Sequence, residues 1–93
     1  MTTTNEYTTS TQTLLLAAAL SHEKRWAILL YLEKCAMAMN VTLVKHLGLS
    51  QSDTSRQLTI LLDAGLLEKS MYARNTVYSL RHQIWLKAKA LHA

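Results

Sequence analysis

Apolar runs separated by short polar breaks divide the chain into seven elements. Leu14 to Leu20 is seven consecutive apolar residues. It reads as a short helix that is apolar all round and has to be buried on more than one side. Before it, residues 1–13 hold seven of the eleven threonines and no aliphatic core residue. Residues 1–12 therefore read as a flexible Thr-rich leader, and 13–93 as the folded domain. Ser21 is expected to cap a second helix running from about His22 to Lys34, with Glu23 in its first turn. Trp26, Leu29 and Leu30 form its stripe at i, i+3, i+4, and Glu33 ends it. Asn40 or Thr42 caps a third, short helix with Leu43, Val44 and Leu47 inward, and Gly48 stands where a left-handed C′ residue belongs. Ser50 caps a fourth helix, with Asp53 three residues on as a capping-box acid, and Gly65 ends it. Leu66 to Met71 and Thr76 to Leu80 read as short strands around the tip Tyr72-Ala73-Arg74-Asn75. His82 to His92 is again helical, with Ile84, Ala88 and Leu91 on one face. The expected fold is mainly α with a small β-hairpin, in the order α-α-α-α-β-β-α.

A short helix, the three-residue turn Gly48-Leu49-Ser50 and a longer helix make a helix-turn-helix, and the strand pair after it makes it winged. On the fourth helix Thr54, Leu58, Leu61 and Leu62 face the core. Ser52, Arg56 and Thr59 face away, with Gln51 and Ser55 at the exposed N-terminal end. A helix entering a major groove needs short side chains, donors and acceptors for base edges, and a cation. The alternative is an ordinary amphipathic surface helix, but the Glu/Lys pairs that usually fill a solvated face are absent. Charge distribution favours the first reading. Residues 1–68 carry five basic and six acidic residues, whereas Lys69, Arg74, Arg81, Lys87 and Lys89 follow with no acid. Arg74 at the hairpin tip is placed to reach a minor groove or a phosphate.

Composition bounds the rest. Ninety-three residues make one domain. Apolar residues make up 49% and charged ones 17%, the latter against about 25% in an average soluble domain. That excludes a disordered chain and leaves more apolar surface than one small core hides, which a partner subunit would absorb. No apolar run approaches the ~20 residues needed to cross a bilayer, so no membrane partner is expected. One cysteine, Cys35, excludes an intrachain disulfide and fits a reducing cytoplasm. No paired carboxylates, nucleophile–base spacing or phosphate-cradling glycine loop suggests an enzyme.

The chain resembles the ArsR-type (ArsR/SmtB) winged helix-turn-helix repressors from Leu20 to Leu80. The carrying segments are Leu20-Ser21-His22-Glu23-Lys24-Arg25-Trp26-Ala27-Ile28-Leu29, Leu47-Gly48-Leu49-Ser50-Gln51-Ser52, Ser55-Arg56-Gln57-Leu58, Leu61-Leu62-Asp63-Ala64-Gly65-Leu66-Leu67 and Val77-Tyr78-Ser79-Leu80. The resemblance implies a homodimer joined through the first and last helices, with Leu14, Leu15, Leu16, Ile84, Trp85, Ala88 and Leu91 as interface candidates. It implies a recognition helix at Gln51 to Ala64 in the major groove of double-stranded DNA and a wing at Lys69 to Val77. Ser50, Gln51, Ser52, Ser55, Arg56 and Gln57 are the DNA-contact positions it carries over, joined by Thr59 and Arg74 from the residues' own pattern. Three positions depart from the family. Asp53 either repels phosphates or folds back as the capping-box acid, Ala73 stands where the wing usually has glycine, and Trp26 replaces a leucine as core.

Many members of that family release DNA on binding metal. The usual thiolate pair would fall at Met39 and Val41, and thioethers are poor ligands for divalent metals. In the last helix His82 and His92 are ten residues apart, with Ile84 at the first family histidine position. No metal and no cofactor are expected, and His22 and His46 read as surface residues. Met37, Met39 and Met71 read as core or interface filler. Cys35 has two readings, a buried inert thiol, which is favoured, and a thiol activated by Lys34 as a redox site. The expected function is a dimeric, cytoplasmic, sequence-specific transcriptional repressor. The alternative is a winged-helix protein-interaction module that has lost DNA binding.

Overall fold

A computed structural model of the chain describes residues 11 and 13–92. The leader expected over 1–12 lies outside the described residues but for Thr11, which is helical. Helix α1 (residues 13–19) precedes α2 (Glu23–Cys35), strand β1 (Met37–Ala38), α3 (Asn40–Leu47) and α4 (Gln51–Asp63). The hairpin β2 (Leu67–Tyr72) and β3 (Asn75–Leu80) leads into α5 (His82–His92). The expected order is present, with one strand added. β1 joins β3 antiparallel, Met37 opposite Ser79 and Ala38 opposite Tyr78, giving a sheet in the order β1-β3-β2. Two residues carry no readable period, so sequence pattern has nothing to find there. The extra strand pins the base of the hairpin to the helical body, while most of β2 projects into solvent.

α2 is the centre of the core. Ile28, Leu29 and Leu32 are completely buried against Leu16 and Ala19 of α1, Leu43 of α3, Leu58 and Leu61 of α4, and Trp85 and Ala88 of α5. The buried stripe of α2 is thus Arg25, Ile28, Leu29, Leu32, at i, i+3, i+4, i+7. It is rotated from the expected one, because Leu30 is half-exposed and Trp26 is only partly buried. Trp26 packs edge-on against Trp85, with ring centroids 5.4 Å apart, and its Nε1 donates to the Leu20 carbonyl at 2.8 Å.

Several caps differ from expectation. His22, not Ser21, caps α2, its Nδ1 accepting from the Lys24 amide at 3.2 Å. The Ser21 hydroxyl instead donates to the Ala18 carbonyl at 2.7 Å and serves the end of α1. α3 starts behind Met39 with no side-chain cap, because Asn40 is already the first residue of the helix, where its amide donates to Ser55 Oγ at 2.9 Å. Gly48 (φ 68°) and Gly65 (φ 81°) take the left-handed positions expected of them. At the hairpin tip Tyr72 pairs with Asn75, so the loop is Ala73-Arg74, with φ of 49° and 70°. That is the mirror-image two-residue turn that matches strand twist, here built without glycine.

Leu16, Trp85 and Ala88, expected on a dimer face, are buried inside the chain's own core. α1 and α5 both pack onto it, and their best-packed faces are consumed there. Ile84 is partly buried against the same core. The apolar residues left outside on these helices include Leu14, Leu15, Leu86 and Leu91. Met37 and Met71 are also exposed, so neither fills the core. Cys35, favoured as a buried thiol, is exposed at the end of α2, where burial and then the thiol raise the hydroxyl pKa of Tyr31 above its usual value.

Candidate nucleic-acid interface

The helix-turn-helix is held by two local devices. The Gly48 amide donates to the Val44 carbonyl at 2.9 Å and closes α3. Ser50 Oγ then accepts from the Asp53 amide at 3.0 Å and opens α4. Between them the chain turns in three residues, which sets α4 against α3 and leaves Gln51, Ser52, Ser55 and Arg56 of its N-terminal half exposed.

Gln51, Ser52, Ser55, Arg56 and Thr59 are all exposed on α4, with Ser50 exposed at its start. No acidic side chain stands among them. Ser55 Oγ accepts from Asn40, and Thr59 Oγ1 donates back to the Ser55 carbonyl at 3.0 Å. These bonds hold small polar groups close to the helix, leaving Arg56 as the one long cationic arm on this face. Arg74 is exposed at the hairpin tip.

Gln57 departs from the expected set. It is only 5% exposed, because its carbonyl accepts from Arg25 Nη1 at 2.7 Å and its amide donates to Asp53 Oδ1 at 3.0 Å. It faces the body of the protein and not the exposed side of α4. Asp53 departs as well. Its backbone amide completes half of the capping box, but the carboxylate turns to Lys24, 2.7 Å from Nζ, and to Gln57. A cation and an amide donor win over a single backbone amide, so the carboxylate does not cap Ser50. Sequence reading passed over Arg25 and Lys24, which hold this inner side. The signal was available, since Arg25 shares the i, i+3, i+4, i+7 positions of Ile28, Leu29 and Leu32.

Two carboxylates are held below their ordinary pKa. Lys24 first, then the Gln57 amide, lower that of Asp53. Lys89 first, then the Trp85 indole N–H, lower that of Glu33. A depressed pKa in the fold adds stability that is complete above the unfolded value, about 4 for these acids. It disappears as pH falls through the folded value. The melting midpoint is therefore expected to drop below pH ~4, and less steeply in Asp53→Asn and Glu33→Gln. Melts from pH 6 to pH 3 check this, and parallel curves for all three proteins would refute it.

Among the described residues no three His, Cys, Asp or Glu side chains gather into a metal-binding group. No described helix is long and apolar enough to cross a membrane. Met39 and Val41, the positions expected for a thiolate pair, offer a half-buried thioether and an exposed alkyl group.

The chain is similar in sequence and fold to known regulators. A family model described as bacterial regulatory protein, arsR family, matches residues 22–69. HlyU from Vibrio cholerae N16961 is 28% identical over 90% of this chain and 91% of that one, with a TM-score of 0.75. An ArsR-like transcriptional regulator from Rhodococcus sp. RHA1 is 28% identical over 88% of this chain and 76% of its own, at TM-score 0.80. The transcriptional repressor PagR of Bacillus anthracis, 21% identical over 91% of this chain and 98% of its own, shares the fold at TM-score 0.77. A comparison with curated proteins finds no match. The family match spans α2 through the start of β2, including the whole helix-turn-helix, and the chain thus belongs to the arsR family of bacterial regulatory proteins, as a DNA-binding transcriptional regulator.

Proposed function

We propose that the chain acts as a homodimeric repressor that reads a palindromic operator with two copies of α4 in successive major grooves. The observation that carries this reading is the outer face of α4. Gln51, Ser52, Ser55, Arg56 and Thr59 point outward together, while the one acid of its first two turns, Asp53, is drawn inward by Lys24. The alternative of an interaction module without DNA binding leans on Asp53 as a repelling charge and on the low net charge of residues 1–68, and the ion pair with Lys24 takes away the first of these.

The dimer face of this proposal is smaller than the sequence suggested. Leu14, Leu15, Leu86 and Leu91 are 70, 46, 62 and 53% exposed, and large apolar side chains left outside on α1 and α5 are what a partner subunit would cover. Leu86→Arg is expected to give a monomer with unchanged helix content. Sedimentation at equilibrium decides it, and a variant that remains dimeric rejects this interface.

Arg74 at the wing tip supplies a phosphate or minor-groove contact in each protomer. Arg74→Ala is expected to weaken binding to all DNA sequences alike and to lower the salt slope by ~1 per wing, because each released counterion contributes about that much. Titrations of one duplex at several salt concentrations test it. A slope equal to that of the unaltered protein would take Arg74 out of the interface.

A further inference from the structure

α4 is tied to the rest of the chain by a polar path through Arg25, a residue with only 8% of its surface exposed. Arg25 Nε donates to the Ala19 carbonyl at 2.7 Å, and Nη2 donates to the Ala18 carbonyl at 2.8 Å. Both carbonyls lie at the C-terminal end of α1, where the last turn lacks intrahelical partners and partial negative charge collects. Nη1 reaches Gln57 on α4 at 2.7 Å. From Gln57 the path continues to Asp53 at 3.0 Å and returns to α2 through Lys24 at 2.7 Å.

The path closes on itself. Lys24 and Arg25 are neighbours on α2, and Asp53 and Gln57 lie one turn apart on α4. Among the described residues no carboxylate pairs directly with the guanidinium. Its buried charge rests on the carbonyl end of α1 and on a neutral amide. A buried charge held this way adds little net stability, because desolvation offsets the attraction. It does fix geometry, since the planar fork of arginine binds in set directions. Asp53 and Gln57 define one side of α4, and Ser52, Ser55, Arg56 and Thr59 occupy the other. At 3.6 residues per turn, a slip of one position rotates the outer face by about 100°. The bonds to residues 53 and 57 therefore select which side chains face outward.

We infer that Arg25 is a positioning residue for DNA recognition, which passes the placement of α1 to α4 through Gln57. α1 seated in the dimer thereby holds the recognition helix in its DNA-reading rotation. This rests on the proposed dimeric, DNA-reading function. It assigns Gln57 to the relay and not to a base contact.

The test uses the full chain with Arg25→Lys, Gln57→Met and the double variant. Each is titrated against a duplex selected by the unaltered protein and against that duplex with single base-pair changes. Melting curves place every assay within the folded baseline. Each single variant is expected to lose about 10-fold in affinity, within the 5–150-fold usual for coupling between sites. The loss should be equal across the base-pair changes, and the double variant no worse than the weaker single one, because both cut the same path. Operator DNA should tighten the dimer of the unaltered protein more than that of Arg25→Lys, by reciprocity of coupling. The inference is overturned if the two losses multiply, if both variants bind like the unaltered protein, or if Gln57→Met relaxes discrimination at one base pair. Should Arg25→Lys not fold, Gln57→Met alone decides by that last criterion, uniform loss supporting the relay. If the unaltered protein selects no duplex at all, the functional reading fails instead.

Discussion

Trp85→Ala is expected to lower the melting midpoint by roughly 15–30 °C. Truncating a buried tryptophan costs about 3–5 kcal/mol, and each kcal/mol shifts a domain of this size by ~4–8 °C. Trp85 is 1% exposed and the largest of the fully buried side chains. Its ring meets Trp26 edge-on, its Nε1 donates to Glu33 Oε2 at 2.8 Å, and Lys89 Nζ lies 5.2 Å from its centre while bonding the same oxygen. Removing the indole thus opens a cavity between α2 and α5 and strips Glu33 of one donor. Against a total stability of about 5–14 kcal/mol for a chain of this length, the loss removes between about a fifth and all of it. Thermal melts at one fixed protein concentration measure it. A shift under about 5 °C would mean that α5 does not depend on this anchor.

Arg56→Ala is expected to abolish specific DNA binding while leaving the fold intact. Arg56 is exposed and no intramolecular bond of its guanidinium is needed for α4. A bidentate arginine–guanine contact is worth about 1–3 kcal/mol of discrimination. Two copies in a dimer give about 2–6 kcal/mol, which is roughly a 30-fold to 10⁴-fold loss at the operator and brings it near non-specific binding. Arg74→Ala differs in kind, since a phosphate contact is lost equally on every sequence. A competition titration with operator and scrambled duplex separates the two. Unchanged preference in Arg56→Ala would show that this side chain does not read bases.

The helical order, both glycine caps and the outward face of α4 were legible because each rests on local chemistry. Gly48 and Gly65 are the only glycines, and each stands where a helix has to end with positive φ. Ser50 and the polar residues after it announce a cap and a solvated face. The misreadings come from tertiary competition. α2 is apolar from Trp26 to Leu32, so several stripes fit it equally well. Only the neighbours α1, α4 and α5 decide that Ile28, Leu29 and Leu32 go inside and Leu30 stays out. Gln57 and Asp53 looked groove-facing or cap-forming because nothing nearby in sequence competes for them. Their partners, Arg25 and Lys24, come from 32 and 29 residues away. The family resemblance places Leu16, Trp85 and Ala88 on a dimer face, and apolar periodicity could not correct it, because it reports burial and not what does the burying. Met37–Ala38 was invisible as a strand, since its order derives from pairing with β3.

The central claim is that two copies of α4 read DNA together. Selection of bound duplexes from a random-sequence pool, followed by footprinting and stoichiometry of the winners, tests it most directly. Enrichment of an inverted repeat with half-sites about 10–10.5 bp apart, or a multiple of that, occupied by two chains, is the expected result. A pool that emerges with no preferred sequence, or a site filled by a single chain, would contradict it.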